Sequence, residues 1–161
     1  MITIEFDKAQ YMAGETVTAT IRAMFSKPVK ARALEARLVC EERKIVKALV
    51  AMNQDDYMLE KELGIPKSTN IKTETFEESS IVFTQSAKIG GAAEYSGGEF
   101  KAAFKLPDNA QPTSREFGHD GKIHVWKLHV KLDIPFGFDK NASKEVVVAG
   151  LEGSHGATTP D

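Results

Sequence analysis

The stretch YMAGETVTATIRAMFSKPVKARALEARLVC, residues 11–40, decides the fold class. Val17, Ala19, Ile21, Ala23 and Phe25 share one phase of a two-residue repeat, and Thr16, Thr18, Thr20 and Arg22 share the other. Successive side chains leave a pleated backbone on opposite sides, so this alternation predicts a half-buried strand. Ala13-Gly14 ahead of it signals a turn, because glycine takes positive φ at little steric cost. Beyond Ser26-Lys27-Pro28 the alternation resumes, with Leu34, Ala36, Leu38 and Cys40 inward and Glu35, Arg37 and Glu41 outward. Pro28 cannot donate to a ladder, so it marks the connection or the first residue of a strand. The expectation is two strands joined by a short connection.

Outward from this stretch the same period recurs. Ile2, Ile4 and Phe6 alternate with Thr3 and Glu5. Residues 43–52 read as a strand in preference to a short helix, because their neighbours are strands. Residues 53–70 read as an irregular loop broken by Gly64-Ile65-Pro66, with one helical turn at Tyr57-Met58-Leu59 and Leu63. A loop of that length is functional or mobile in most compact domains. Strands are expected again at 72–76 and 80–85, then punctuation at Gly90-Gly91 and Gly97-Gly98. Phe100, Ala102, Phe104 and Leu106 alternate with lysines and an alanine. A long strand over 122–134 turns Trp126, Leu128, Val130, Leu132 and Ile134 inward, and residues 145–149 close the sheet. About eight short strands and no long helix predict an all-β, immunoglobulin-like sandwich of two antiparallel sheets. One domain over 1–150 is expected, followed by a flexible polar tail at 151–161.

Composition narrows the function. The chain has 161 residues, 42% hydrophobic and 27% charged, which suits an ordinary globular domain with a full core. A net charge of −2 supplies no general attraction to nucleic acid. A single cysteine excludes an intrachain disulfide, and Cys40 lies at an inward phase where a thiol fills a core. The chain opens on a strand pattern, and no apolar run approaches membrane-spanning length, so a soluble, cytoplasmic protein is expected.

Reactive chemistry finds little support. His124 and His129 are five apart and face opposite sides of one strand, His119 lies in a loop, and His155 is in the tail. The carboxylates fall mainly at outward or loop positions, and neither glycine pair has the strand–loop–helix setting of a phosphate cradle. No catalytic residue, metal or cofactor is expected. Charge is more informative: residues 22–47 carry eight basic and three acidic side chains, and residues 52–80 carry seven acidic and three basic. Such polarity suits the steering of a charged partner, and equally the protection of strand edges by lysine. Arg22, Lys27, Lys30, Arg32, Arg43, Lys44 and Lys47 are therefore the candidate partner-binding residues. The nine phenylalanines phase mostly inward, which counts against a sugar- or lipid-binding sandwich with exposed aromatics.

Several of these residues also form spaced motifs. Tyr11, Gly14 and Glu15, followed by Pro28-Val29-Lys30-Ala31-Arg32, resemble the amino-terminal domain of arrestin-like proteins. A second block agrees: Phe104, Leu106 and Pro107, then Pro112 and Ser114, then Gly121 and Ile123 opening the long strand. The similarity runs from about Ile2 to Val148 and is closest in kind to the retromer arrestin-like subunit and the sporulation-control group. Arrestins carry two such sandwiches, and this chain has length for one. The receptor arrestins' buried charged switch and phosphate-sensing lysines have no match here. The resemblance thus implies a non-catalytic scaffold or adaptor that meets a protein partner through a sheet edge or the basic arm. Self-association through sheet edges, or another chain, would supply a second sandwich. A small-molecule site for a carbohydrate or lipid, or a peripheral membrane-surface role for the basic arm, stands as the alternative.

Overall fold

A computed structural model describes residues 1–51 and 71–150, and every regular element among them is a β-strand. The first sheet has the order β1-β3-β8, formed by Ile2–Phe6, Thr16–Ala23 and Glu99–Lys105. The second has the order β10-β9-β5-β6, formed by Lys140–Val146, Lys122–Asp133, Ala33–Ala51 and Ile71–Gly90. All pairings in both sheets are antiparallel. Val17, Ala19, Ile21, Ala102 and Phe104 of the first sheet meet Leu34, Ala36, Leu38, Trp126, Leu128, Val130 and Leu132 of the second in one buried core. This is the all-β sandwich that the alternation predicts, in the arrangement expected of the arrestin type.

Two short pairs stitch the sandwich at its margins. β4 (Val29–Ala31) pairs with β7 (Ala93–Tyr95), and β2 (Tyr11–Met12) runs parallel to β11 (Val148–Ala149). The motifs of the chain converge here. Gly14 takes a φ of 83°, Glu15 accepts the Met12 amide at 2.8 Å, and the Tyr11 hydroxyl donates to Asp7. The Gly14 amide reaches the Pro107 carbonyl at 3.1 Å, and the Leu106 amide reaches the Glu15 carbonyl at 2.9 Å. Thr113 bonds with Val146 and Val148, while Ser114 exchanges two bonds with His124, both 3.0 Å long. Residues far apart in the chain recur together because each satisfies backbone groups the others leave open.

The two strands expected within residues 11–40 lie in opposite sheets, β3 in one and β5 in the other, with β4 in the connection between them. Two expectations change. The strands expected at 72–76 and 80–85 are one strand, because Glu77, Glu78, Ser79 and Ser80 lie on an exposed sheet edge and tolerate polarity. The closing strand begins at Lys140 rather than 145. Among the described phenylalanines Phe104 is buried and Phe6, Phe25, Phe83 and Phe100 pack against the core, as an inward phase predicts, whereas Phe76, Phe136 and Phe138 are exposed. The strand expected over 43–52 is present to Ala51, as the outer part of β5. The loop at 53–70 and the tail at 151–161 lie outside the described residues.

Candidate functional site

The central hairpin β5–β6 changes partners along its length. As far as Lys44, β5 is sandwiched between β9 and β6, with Lys44 opposite both Lys122 and Glu78. Beyond it, from Ile45↔Glu77 to Ala51↔Ile71, β5 pairs with β6 alone. The result is a two-stranded ribbon that leaves the body of the sheet. An extra residue in β6 near Cys40/Glu41 shifts the register at this boundary, a bulge that bends a strand and raises its twist. β6 is also the outer strand of its sheet, and nearly every side chain from Thr73 to Val82 faces solvent.

The seven candidate cations do not form one surface. Arg22 lies on the first sheet, bonded to Glu5 at 2.9 Å and Glu99 at 3.2 Å. Arg32 bonds to Asp133 at 2.9 Å, beside exposed Lys27 and Lys30 at one end of the sandwich. Arg43, Lys44 and Lys47 lie on the hairpin, and there they divide between its faces: Arg43 and Lys47 share one, Lys44 the other. Within the acidic segment, residues 71–80 belong to the strand beside them, with Glu74, Glu77 and Glu78 opposite Ala48, Ile45 and Lys44. Lys44 and Glu78 thus face each other as cross-strand neighbours of opposite charge, a pairing that favours this register.

At the root of the ribbon lies a buried polar pair absent from the sequence expectation. His124 is only 6% exposed, and its Nε2 lies 2.9 Å from Glu42 Oε2, with Lys122 Nζ at 3.9 Å. Both residues share the inward phase of Trp126 and Cys40, and that phase was the available signal. Their register across β5 and β9 was not legible. A cavity of about 220 Å³ opens beside them, lined by Cys40, Glu42, Phe83, Gln111, His124 and Trp126. The Trp126 Nε1 donates to the Gln111 carbonyl at 2.8 Å, and its ring lies 5.4 Å from that of Phe83. Burial pushes the Cys40 thiol up to about 12, with Glu42 and Glu41 adding to the effect. Such a thiol stays protonated and is a poor nucleophile.

The outer face of the second sheet holds another cleft, of about 200 Å³, around Arg37, His129 and Lys131, with Glu35, Ser86 and Asn141. Burial, followed by the Arg37 and Lys127 charges, holds the His129 imidazole below its ordinary range, so it is neutral near pH 7.

No family model and no curated protein matches the sequence. Among solved structures, the fold is similar to Spo0M, the sporulation control protein from Bacillus subtilis, with a TM-score of 0.58 and 16% sequence identity. The match covers 97% of this chain and 54% of that one, so this chain spans about half of that structure's length. At that identity the likeness establishes a shared fold.

Proposed function

We propose that this chain is a non-catalytic, cytoplasmic protein-interaction module whose partner adds a strand to the β5–β6 hairpin. The observation that carries the reading is the ribbon beyond Lys44, where β5 no longer pairs with β9 and no strand among the described residues pairs with the outer edge of β6. Isolated two-stranded ribbons are marginally stable in water, and exposed strand edges pair readily with an added strand. Exposed Leu49, Ile81 and Val82 supply apolar contact along it. The charged cross-strand neighbours oppose indiscriminate pairing, so a partner must match their pattern. The partner is a peptide segment of another protein or a second copy of the chain.

Affinity capture from host lysate tests this. Three proteins are compared: wild type, an edge variant (Ile81→Lys with Val82→Lys), and a basic-arm variant (Lys27, Lys30, Arg32, Arg43 and Lys44 to Glu). All are first verified as folded by circular dichroism. The expected result is a small set of proteins retained by wild type and lost from the edge variant. Sedimentation over a range of concentrations reads self-association in parallel. Retention lost only in the basic-arm variant moves the interface to the cations. No specific retention together with a monomer at every concentration defeats the reading.

The cavity beside Glu42 and His124 favours a second reading, a site for a small ligand held between Phe83, Trp126 and the carboxylate. A thermal-shift panel of sugars and small amines tests it, and stabilisation abolished by Glu42→Gln is the expected signature.

A further inference from the structure

The turn between β9 and β10 carries two aromatic rings that nothing among the described residues covers. Phe138 is 96% exposed and Phe136 is fully so, at the tip of Ile134-Pro135-Phe136-Gly137-Phe138-Asp139. The backbone adds an independent observation. Phe136 has a φ of 59°, and it is the only non-glycine among the described residues with positive φ, while Gly137 beside it does not take that conformation. A bulky residue in the left-handed region is strained, and glycine would relieve the strain. A ring held at that cost, with no packing role, points to use outside the fold.

The surroundings indicate the kind of surface it meets. Lys140 begins β10 and lies 5.5 Å from the Phe25 ring, and Arg32 bonds to Asp133 at the end of β9. Both ends of the 25–32 connection therefore lie against the base of the turn, and Lys27 and Lys30 are exposed within it. Residues 24–32 and 134–140 together hold four cations, Lys27, Lys30, Arg32 and Lys140, and one carboxylate, Asp139. Asp139 is engaged by the Ile134 amide at 2.9 Å, Asp133 by Arg32, and Glu94 lies opposite Lys30 in the β4–β7 pair. Exposed Met24 extends the apolar surface at this end.

We infer that this end of the sandwich docks on an anionic phospholipid bilayer, with Phe136 and Phe138 entering the interface and Lys27, Lys30 and Lys140 meeting headgroup phosphates. A convex tip with apolar rings and a cationic collar matches a bilayer, which is apolar beneath a negatively charged surface. A protein site built on two anchoring rings would need a complementary pocket, and the cations around them would then lose water without a matching phosphate layer. The surface is separate from the hairpin edge, so the chain can hold a partner strand and a membrane together.

Vesicle flotation with the full chain tests this, using phosphatidylcholine alone and phosphatidylcholine mixed with phosphatidylserine. Wild type should float with the mixed vesicles, release at high salt, and ignore the neutral ones. Phe136→Ser with Phe138→Ser should weaken binding at least about tenfold, since each ring contributes a large buried apolar area. Phe136→Gly separates binding from folding: it should raise the melting temperature by relieving the positive φ, and still weaken flotation. Absence of wild-type binding to the mixed vesicles overturns the proposal, as does undiminished binding by the double variant.

Discussion

Along residues 33–44 β5 lies between β9 and β6, whereas along 45–51 it pairs with β6 alone. The inner part follows the alternation of a half-buried sheet, with Leu34, Ala36, Leu38 and Cys40 buried in one row that ends on Glu42 against His124. The outer part keeps the strand period but continues the row with Val46 and Ala48, facing Phe76 and Glu74. Strand geometry thus persists where the hydrophobic effect no longer supports it. What holds the outer part is backbone pairing and cross-strand contacts, each worth well under the burial of one leucine.

The largest contrast concerns Cys40 at the boundary. Its thiol, pushed up to about 12 by burial, should react with a disulfide reagent roughly a thousandfold more slowly in native protein than in the unfolded chain, since three pKa units set the thiolate fraction. The folded value lies above the unfolded one, so the associated stability is complete below about pH 9 and declines as pH rises towards about 12. Rapid labelling of folded protein at pH 8 would show that the core opens at this point.

Leucines sharpen the comparison by unfolding free energy. Leu38→Ala should cost about 3 kcal/mol, as expected for a buried leucine that leaves a cavity. Leu49→Ala, at a side chain 72% exposed, should change stability by no more than about 0.5 kcal/mol. Equal losses in urea denaturation would mean that the ribbon packs on something in the free protein. Between these extremes, Glu42→Ala strands the buried His124 and should cost about 2 kcal/mol, and Glu42→Gln should recover part of it. The smallest effect belongs to the ribbon charges. Glu78→Lys places a like charge opposite Lys44, which already faces Lys122 on its other side, and should cost about 0.5 kcal/mol, recovered when Lys44→Glu is added. A double-mutant cycle with no coupling would remove the register-pinning role of that pair.

Much of the fold was legible before the structure. Val17, Ala19 and Ile21, then Phe104 and Leu106, then Trp126 through Leu132 are buried as their phase predicted. The spaced motifs indicated the right architecture, and the structure shows them bonded to one another. The candidate site was harder to read. A run of basic residues looked like one arm, yet Arg22 lies in the first sheet, Arg32 at one end of the sandwich and Lys47 on the ribbon. Phe136 and Phe138 fall in the turn after the long strand, and the phase of a strand says nothing of the turn that ends it.

The division has a physical cause. Alternation is a property of one strand, since the pleat sends neighbouring side chains to opposite faces whatever the strand pairs with, and so the sequence by itself determined the buried rows and the all-β class. Register, sheet membership and the conformation of a turn depend on which distant strand supplies the hydrogen bonds. Only the tertiary structure decided that Glu42 meets His124, that Lys44 lies opposite Glu78, that the outer hairpin stands free of β9, and that two rings face solvent beneath Lys140.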